Sequence, residues 1–397
     1  MESEIKEMEF IRITFTGDIL CTIPELSASA KGENRFDFSP IFNHIKPYIN
    51  ASNFVVGNLE TPIAGREVNY TNVPTLFNSP KDFANAVKEA GIDLVTTANN
   101  HALDKGVFGL RQTLKNLDGI ALEHTGTRMN PSEKPYVVKN ISGIKFAFLS
   151  YTYGSDSQWR NNGLLPDDDY SLNLFREQDS FPVNSHSSRI RDFLKNVIPE
   201  IIKKQLRDST YPDCGRMSDL TSPHLSNMEE VIRQAKAEAD YVIMCLHIGG
   251  QFNSKVGEYT NAVIEKCISS GCDSVICNHP HCVLNAKKID NGIIAYALGN
   301  FTYTPHWGYF IEGVYADYSI LLNLLFEKVS KKYTGCSYSV IKNVKEGTHT
   351  VVENVADIYE KATLKEKKKL EKDVRNVIKR FTKSDTSNIN VEREYNL

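Results

Sequence analysis

Residues 274–281 read SVICNHPH, an apolar run followed by two histidines. The β-branched and apolar residues predict a buried strand over residues 274–277. Proline restrains the residue before it to extended backbone, and alternate residues of an extended segment point the same way. His279 and His281 are therefore expected to face one side at the end of this strand. This arrangement predicts an α/β fold that binds a metal at the edge of its sheet.

Similar apolar runs recur along the chain and alternate with helical patterns. A continuous apolar strand implies a sheet that is covered on both faces. The other predicted strands cover residues 11–16, 53–56, 92–96, 145–150, 241–246 and 293–298. Predicted helices cover residues 82–90, 107–116, 228–238 and 258–269. This alternation of strands and helices is typical of α/β proteins.

Polar side chains follow the ends of several predicted strands, where ligands bind in open α/β sheets. Taken singly, such a residue is more often a helix cap or a turn residue than a ligand. Their shared position predicts one metal site. The candidate residues are Asp18, Asn58, Glu60, Asn99, Asn100, His101, His247, His279 and His281. Imidazole nitrogens combined with carboxylate and amide oxygens suit Mn, Fe, Zn or Co better than Ca.

Alternatives to this metal site remain open. Buried histidines can form hydrogen-bonded core contacts, and Cys277 and Cys282 flank the histidine pair, so a zinc site could use these thiols. The pair Asn100 and His101 has two readings as well. An amide oxygen can bind a metal while the adjacent imidazole donates a proton to a leaving group, or the segment can be a turn that caps the next helix.

Composition and charge exclude several classes of protein. Hydrophobic residues make up 41% and charged residues 24% of the 397 residues, which is typical of a soluble globular protein. A net charge of −3 gives no overall attraction to nucleic acid. No run approaches the roughly 20 apolar residues of a membrane span, and the acidic N-terminus is unlike a signal peptide. A cytoplasmic location is expected for the chain as given.

Sequence motifs narrow the chemistry further. The eight cysteines lack CxxC pairs and are expected to be reduced. No Walker A loop, GxGxxG or GxSxG motif occurs, so neither a nucleotide cofactor nor a serine nucleophile is expected.

The predicted organisation is a main domain over residues 10–325, an insertion near residues 152–226, and a C-terminal strand and basic helix over residues 326–397. The insertion is rich in polar and aromatic residues and contains one amphipathic helix pattern, residues 188–207. In the insertion, Tyr153, Trp159, Arg160 and the aspartates at residues 167–169 could shape the mouth of the site, although a solvated loop is favoured. Beyond it, His306 and Trp307 could equally reach the rim of the pocket or pack in the core.

The C-terminal helix is predicted over residues 364–381. Its apolar stripe favours a solvated helix that packs on the domain. The alternative is a binding role, because its lysines could contact an anionic polymer or a membrane. Those lysines are Lys365, Lys367, Lys368, Lys369 and Lys372.

Six short motifs, in this order, resemble those of the CapA family, poly-γ-glutamate capsule-synthesis proteins whose domain is similar to calcineurin-like metallophosphatases. They are TGD (residues 16–18), NLETPI (58–63), ANNHALDKG (98–106), LHIG (246–249), NHPH (278–281) and LGNF (298–301). The resemblance implies a four-layer α/β/β/α metallophosphatase-like sandwich with an insertion and a C-terminal helix. It also implies one or two divalent metal ions, Mn, Fe or Zn.

The resemblance further implies a role for each matching residue. Asp18 and His281 look like ligands of a first metal, and Glu60 looks like the carboxylate that bridges two metals. Asn100, His247 and His279 look like ligands of the second metal. His101 resembles the acid that assists the leaving group, which makes His101, Asp18 and Asn100 the implied catalytic set. Three further residues are implied to orient the ligands, namely Asn58, Asn99 and Asn300.

Two positions depart from the pattern. Leu20 stands where metallophosphatases usually have a histidine, so a first metal would have fewer protein ligands. Gln251 stands where CapA relatives usually have a glutamate. The implied function is a metal-dependent hydrolase of a phosphoester or a related anionic substrate, a small molecule or a polymer. The alternatives are a non-catalytic metal-binding accessory protein of capsule synthesis and a γ-glutamyl amide hydrolase.

Overall fold

Two β-sheets pack face to face and share an apolar core. A computed structural model describes residues 10–73, 76–155, 163–178, 212–305 and 313–397. In chain order, the strands are β1 (Phe10–Ile19), β2 (Phe54–Leu59), β3 (Leu94–Thr96), β4 (Glu123–Thr125), β5 (Tyr136–Ile141), β6 (Ile144–Thr152), β7 (Tyr241–His247), β8 (Ser274–Asn278), β9 (Ala286–Ile289), β10 (Gly292–Ala295), β11 (Asn300–Thr302), β12 (Tyr318–Glu327), β13 (Tyr333–Glu346), β14 (His349–Asn354) and β15 (Tyr395–Asn396).

The helices of the described ranges are α1 (Ile23–Ser29), α2 (Ser39–Phe42), α3 (Lys46–Ile49), α4 (Lys81–Glu89), α5 (Gly106–Asp118), α6 (Pro223–Glu238), α7 (Glu258–Ser270), α8 (Val355–Lys361) and α9 (Leu364–Thr382). Helices α1 to α7 contribute to the apolar clusters outside the two sheets, whereas α8 and α9 contribute to the cluster between them. The seven predicted strands and the predicted helices of the main domain are present. The largest boundary difference is at α6, which begins five residues earlier than predicted because Ser222 caps it by accepting a hydrogen bond from the His224 amide, 3.3 Å.

The first sheet has the strand order β14-β13-β12-β1-β2-β3-β4, and the second has β5-β6-β7-β8-β10-β9. Strands β1 to β4 are mutually parallel, and so are β6, β7, β8 and β10. The carboxyl ends of the parallel strands supply the polar residues of the candidate site.

Three apolar clusters separate four layers. Between the sheets, the Phe15 and Phe148 rings face each other with centroids 6.5 Å apart. Outside the first sheet, Phe83 of α4 packs with Phe42 of α2, and outside the second sheet Met228 of α6 is buried. These clusters remove the apolar faces of the sheets and the apolar stripes of the helices from water. Burial of apolar surface is the main stabilising contribution to folding. The predicted four-layer α/β/β/α sandwich is confirmed.

The C-terminal part of the chain belongs to the same sheet and core. The predicted boundary at residue 325 falls inside β12, and β13 and β14 extend the first sheet beyond it. Helix α9 begins at Thr363, whose side chain and that of Glu366 cap it reciprocally. Its predicted apolar stripe is buried in the core between the sheets, through Leu370, Val374, Val377, Ile378 and Phe381.

Several predictions lie outside the described residues. They are the helix over residues 188–207 and the four predicted mouth residues Trp159, Arg160, His306 and Trp307. Within the described ranges, no helix combines the length and hydropathy that crossing a membrane requires.

Candidate metal centre

Side chains from both sheets converge where the parallel strands end. Asp18 lies in β1 at a register shift, and Glu60 directly follows β2. Asn100 and His101 lie in the turns between β3 and α5. His247 is the last residue of β7, and His279 and His281 follow β8. All seven are buried, so they form an internal cluster rather than a solvated surface patch.

Close backbone contact brings Asp18 into this position. The Asp18 amide donates a hydrogen bond to the Gly299 carbonyl, 2.9 Å. A Cβ atom on Gly17 would lie 1.9 Å from that same carbonyl oxygen. Only glycine fits there without displacing one of the two chains.

Four donor atoms meet on one side of the cluster. His247 Nε2 lies 2.7 Å from Asn100 Oδ1, 3.1 Å from His279 Nδ1 and 3.5 Å from Glu60 Oε1. A cation with ligand distances of about 2.1 Å holds its ligand atoms roughly 3.0–3.4 Å apart in octahedral or tetrahedral geometry. The distances from His247 to His279 and Glu60 lie in or close to this range, whereas the shorter one to Asn100 is that of a hydrogen bond, which a bound cation would replace.

A second group surrounds Asp18. His281 Nδ1 lies 3.3 Å from Asp18 Oδ2, and His281 Nε2 lies 3.6 Å from Glu60 Oε1. Two sets of potential ligands have all their donor atoms within 4.8 Å of one another: Glu60, His279 and His281, and Asp18, Glu60 and His247. Glu60 belongs to both sets, and each set combines one residue implied for the first metal with one implied for the second.

Burial sets the charge of the histidines at this centre. Burial lowers the pKa of His247 to about 3 and that of His279 well below its ordinary value. Both imidazoles are therefore neutral near pH 7, and a neutral imidazole has the lone pair that a metal needs.

The pKa shifts of His281 and Asp18 favour the charged form of each side chain. Burial opposes a charged His281, but Glu60 and Asp18 outweigh it and raise the pKa of His281 to about 9. For Asp18, burial is outweighed by the hydrogen bond and the charge of His281, so its pKa lies below the ordinary value. The two buried acids Asp18 and Glu60 need nearby positive charge, which a protonated His281 provides; a bound divalent cation would provide it instead, with His281 then neutral and able to bind the metal.

His101 forms a dyad with an acid that the sequence reading missed. His101 Nδ1 lies 2.9 Å from Asp104 Oδ2, and His101 Nε2 lies 3.9 Å from Glu60 Oε1. The same Asp104 oxygen accepts a hydrogen bond from the Phe77 amide, 2.7 Å. The Phe77 ring contacts the His101 imidazole edge-on, with centroids 4.6 Å apart. The three-residue spacing from His101 was the available signal for Asp104.

Hydrogen bonds from neighbouring amides hold the ligands in place. Asn58 Nδ2 donates to Asp18 Oδ1, 2.7 Å, and the Thr96 hydroxyl donates to Asn58 Oδ1, 3.1 Å. Asn300 Oδ1 lies 2.9 Å from His281 Nδ1, and Asn99 Nδ2 donates to the Leu59 carbonyl, 2.8 Å. Such contacts fix the orientation of metal ligands. Among these residues, Thr96 was not foreseen.

The family model described as bacterial capsule synthesis protein PGA_cap matches residues 12–304. The chain belongs to this family. The resemblance to CapA proteins is thereby confirmed, and every residue of the candidate centre lies within the matched part of this PGA_cap chain.

Curated relatives agree with this assignment. The chain is 24% identical over 308 residues to the capsule biosynthesis protein CapA of Bacillus anthracis, covering 76% of this chain and 62% of the relative. It is 23% identical over 312 residues to the PGA biosynthesis protein CapA of Bacillus subtilis (strain 168), covering 75% and 65%. The chain thus spans less than two thirds of the length of these relatives.

Solved structures with a similar fold are more distant. A phosphatase of Mycoplasma pneumoniae shares 12% identity at a TM-score of 0.41, with 84% of this chain and 94% of that one covered. A 5'-nucleotidase of Candida albicans shares 11% identity at a TM-score of 0.38, with 84% and 51% covered.

The backbone of the histidine pair differs from the predicted extended segment. His279 has φ 105° and His281 has φ 54°, and Phe252, whose ring lies 5.3 Å from the His281 ring, has φ 51°. The expectation of an extended segment was wrong, because the surrounding contacts override the preference that Pro280 imposes. Strained backbone of this kind concentrates at functional sites of folded proteins.

The departures from the family pattern have clear places in this PGA_cap structure. Leu20 packs in an apolar cluster with Phe77, Tyr303 and Ala316, and Gln251 is exposed. Leu20 therefore contributes packing where the usual pattern has a metal ligand.

The cysteines beside the histidine pair lie apart from the cluster. Cys277 packs in the core outside the second sheet, and Cys282 packs in a separate apolar cluster. Within the described ranges, neither set of potential metal ligands contains a cysteine. The alternative of a zinc site built from these thiols gains no support from their positions.

Proposed function

We propose that this PGA_cap protein is a metal-dependent hydrolase of a phosphoester or related anionic substrate. The observation that carries the proposal is the convergence of Glu60, Asn100, His247 and His279 within ligand-to-ligand distance. Their donor atoms suit Mn, Fe or Zn. The assignment of Asp18 and His281 to a first metal, beside Glu60, is part of the same proposal.

The chain's own residues provide positioning and proton transfer. Bound divalent cations supply Lewis acidity and make water a nucleophile near neutral pH. Asp104 accepts from His101 Nδ1, which leaves Nε2 directed toward Glu60 and the centre. A protonated His101 can then donate to the leaving group while the Asp104 carboxylate stabilises the imidazolium. Asn58 and Asn300 keep Asp18 and His281 in place during the reaction.

Substrate class is tested by direct assay. Purified protein loaded with Mn, Zn or Fe is incubated with a phosphomonoester, a phosphodiester and a γ-glutamyl peptide, and metal content is measured by mass spectrometry. We expect turnover of a phosphoester that chelator and His279→Ala abolish. His44→Ala is the matched control, because His44 pairs with Glu346 at the surface, 3.0 Å away. Turnover that survives chelator or His279→Ala would refute the proposal.

One observation favours a second candidate, an accessory protein that binds metal without turnover. Leu20 fills a position where the family resemblance leads us to expect a ligand, and it packs against Phe77 and Tyr303. A metal-loaded protein that turns over none of the three substrate classes would favour this candidate. Turnover of the γ-glutamyl peptide alone would instead identify an amide hydrolase.

We further propose a role in the synthesis or turnover of capsule or a related exopolymer such as poly-γ-glutamate, in the cytoplasm. Family membership supports this role. Deletion of the gene in its host, followed by capsule quantification and cell fractionation, tests both parts. Complementation with the wild-type gene but not with His279→Ala is the expected result. Unchanged capsule after deletion would contradict the role.

A further inference from the structure

We propose that a basic cleft beside the metal centre binds an oxyanion of an extended, polyanionic substrate. This proposal rests on the proposed function, because it defines the substrate as one with anionic groups remote from the reacting bond. The cleft has a volume of about 490 Å³. Its lining residues are Ser254, Tyr315, Asn376, Lys379, Arg380 and Lys383.

One face of α9 supplies most of the cleft. Asn376 and Arg380 are four residues apart, so they share a helix face, and Lys379 lies at its edge. Lys383 directly follows the last helical residue and has a left-handed backbone, φ 58°. The apolar stripe of the same helix is buried between the sheets. The helix is therefore held firmly by its apolar side, and its cationic side is presented to the cleft.

One of the residues that line the cleft, Tyr315, has a strained backbone. Tyr315 has φ 59°, a left-handed conformation that is unusual for a bulky residue. Its hydroxyl accepts a hydrogen bond from Asn376 Nδ2, 2.8 Å, and the Arg380 guanidinium lies 5.7 Å from its ring centroid. Strain of this kind persists where surrounding contacts enforce it and is frequent at ligand sites.

Two of the three cations are available to a ligand. Arg380 donates to the carbonyls of Val314, 2.8 Å, and Gly313, 3.0 Å, and so holds the Tyr315 segment against α9. Lys379 and Lys383 are exposed and form no ion pair within the described part of the chain. Asp385 is the nearby acid, and its carboxylate accepts from the Ser387 amide and hydroxyl, both 3.0 Å.

The cleft adjoins the metal centre through two short links. Ser254 lies two residues beyond Phe252, whose ring contacts the His281 ring. On the other side, Tyr315 precedes Ala316, whose carbonyl accepts from Asn300 Nδ2, 3.0 Å. Two residues of chain span at most about 7 Å. Short chain segments therefore connect the cleft to the contacts of the centre on two sides, so one extended ligand can reach both.

The ligand chemistry follows from the residue types. Lysine ammonium groups act as hydrated point charges, so they attract carboxylates and phosphates without fixing one geometry. Attraction between exposed charges weakens with salt, since the screening length falls from about 10 Å at 0.1 M to about 3 Å at 1 M. The expected ligand is a chain with repeated carboxylate or phosphate groups, bound in a salt-dependent way.

The test measures binding of two defined probes, hexaglutamate and tripolyphosphate, to the metal-loaded full chain by calorimetry. For Lys379→Ala/Lys383→Ala we expect the dissociation constant to rise roughly three- to tenfold at low salt and to change little at 1 M. The matched control is Lys365→Ala/Lys368→Ala, which removes the same charge from exposed positions at the other end of α9. Tighter binding of hexaglutamate than of tripolyphosphate would show that the cleft prefers carboxylates, and tighter binding of tripolyphosphate would show that it prefers phosphates.

Three results would overturn the proposal. Equal losses in both double variants would indicate general attraction to a basic helix, and no loss in either would exclude a binding site. A lower melting temperature with unchanged affinity would show that the two lysines only complement the negative end of the helix dipole. Failure of the proposed function is distinguishable, because a wild-type chain that binds the probes and hydrolyses nothing refutes catalysis but leaves the cleft in place.

Discussion

Replacement of Glu25 by glutamine should remove a large part of the pH dependence of stability. Glu25 lies in the first turn of α1 and is 1% exposed. Its Oε2 accepts hydrogen bonds from the Thr22 amide, 2.7 Å, and the Thr22 hydroxyl, 3.1 Å. Burial outweighs these bonds and raises the pKa of Glu25 from 4.5 to about 7.

The sign and size of the effect follow from this pKa. A carboxyl that is harder to ionise in the folded chain stabilises the fold fully below pH 4.5, and this contribution is lost as the pH rises through 7. The two pKa values differ by about 2.5, and a difference of one corresponds to about 1.4 kcal/mol, so the total is roughly 3 kcal/mol. About 2.5 kcal/mol of it is lost between pH 5 and pH 8.

Urea unfolding at pH 5 and pH 8 measures this contribution. Glutamine is neutral at both values and keeps an oxygen that can accept from Thr22, so Glu25→Gln should gain about 2.5 kcal/mol over wild type between pH 5 and pH 8. Glu258→Gln is the control, because Glu258 is exposed in the first turn of α7. Parallel pH profiles for wild type and Glu25→Gln would refute the reasoning.

Three further perturbations test the centre and the fold. Asp104→Asn should lower kcat on the order of 10²-fold with little change in KM. Added to His101→Ala, it should lower kcat little further; additive losses in steady-state kinetics would show that the two residues act separately. Mn at 100 times its dissociation constant should stabilise wild type by about 2.7 kcal/mol, which is measured as a higher melting temperature. For Glu60→Gln the rise in melting temperature should be smaller, and an equal rise would show that Glu60 is not a metal ligand. Phe381→Ala should lower the free energy of unfolding by about 3–5 kcal/mol, whereas Lys369→Ala should change it by at most about 0.5 kcal/mol; a smaller loss at Phe381 would contradict the packing of α9 between the sheets.

The strands that hold the centre could be predicted because their signal is local. A buried strand such as β7 is apolar along its whole length, and His247 at its end breaks that pattern visibly. The same holds for β8 and the histidines that follow it. Fold class and the convergence of the polar residues could therefore be inferred without coordinates.

Other features depend on contacts between distant residues. The region after residue 325 was predicted to contain one strand, but it holds β13, β14 and β15, and the polar ends of β13 are held by pairing with β12 and β14. The backbone of His279 and His281 is likewise fixed by neighbours such as Asn300 and Phe252. Basic residues at the end of α9 gave no sign of facing a cleft, since its other wall comes from Ser254 and Tyr315, more than 60 residues away in sequence.

The pairing of β1 with β12 delays completion of the first sheet during synthesis on the ribosome. Ile13 pairs with Leu324, so one edge of this central strand stays open until about 300 further residues have been made. At roughly 5–20 residues per second, that interval is about 15–60 s. Until then the edge of the apolar strand β1 that faces β12 stays unpaired, while β2 can pair with the other edge. A chaperone that binds extended apolar segments is expected to associate with nascent chains until translation passes β12.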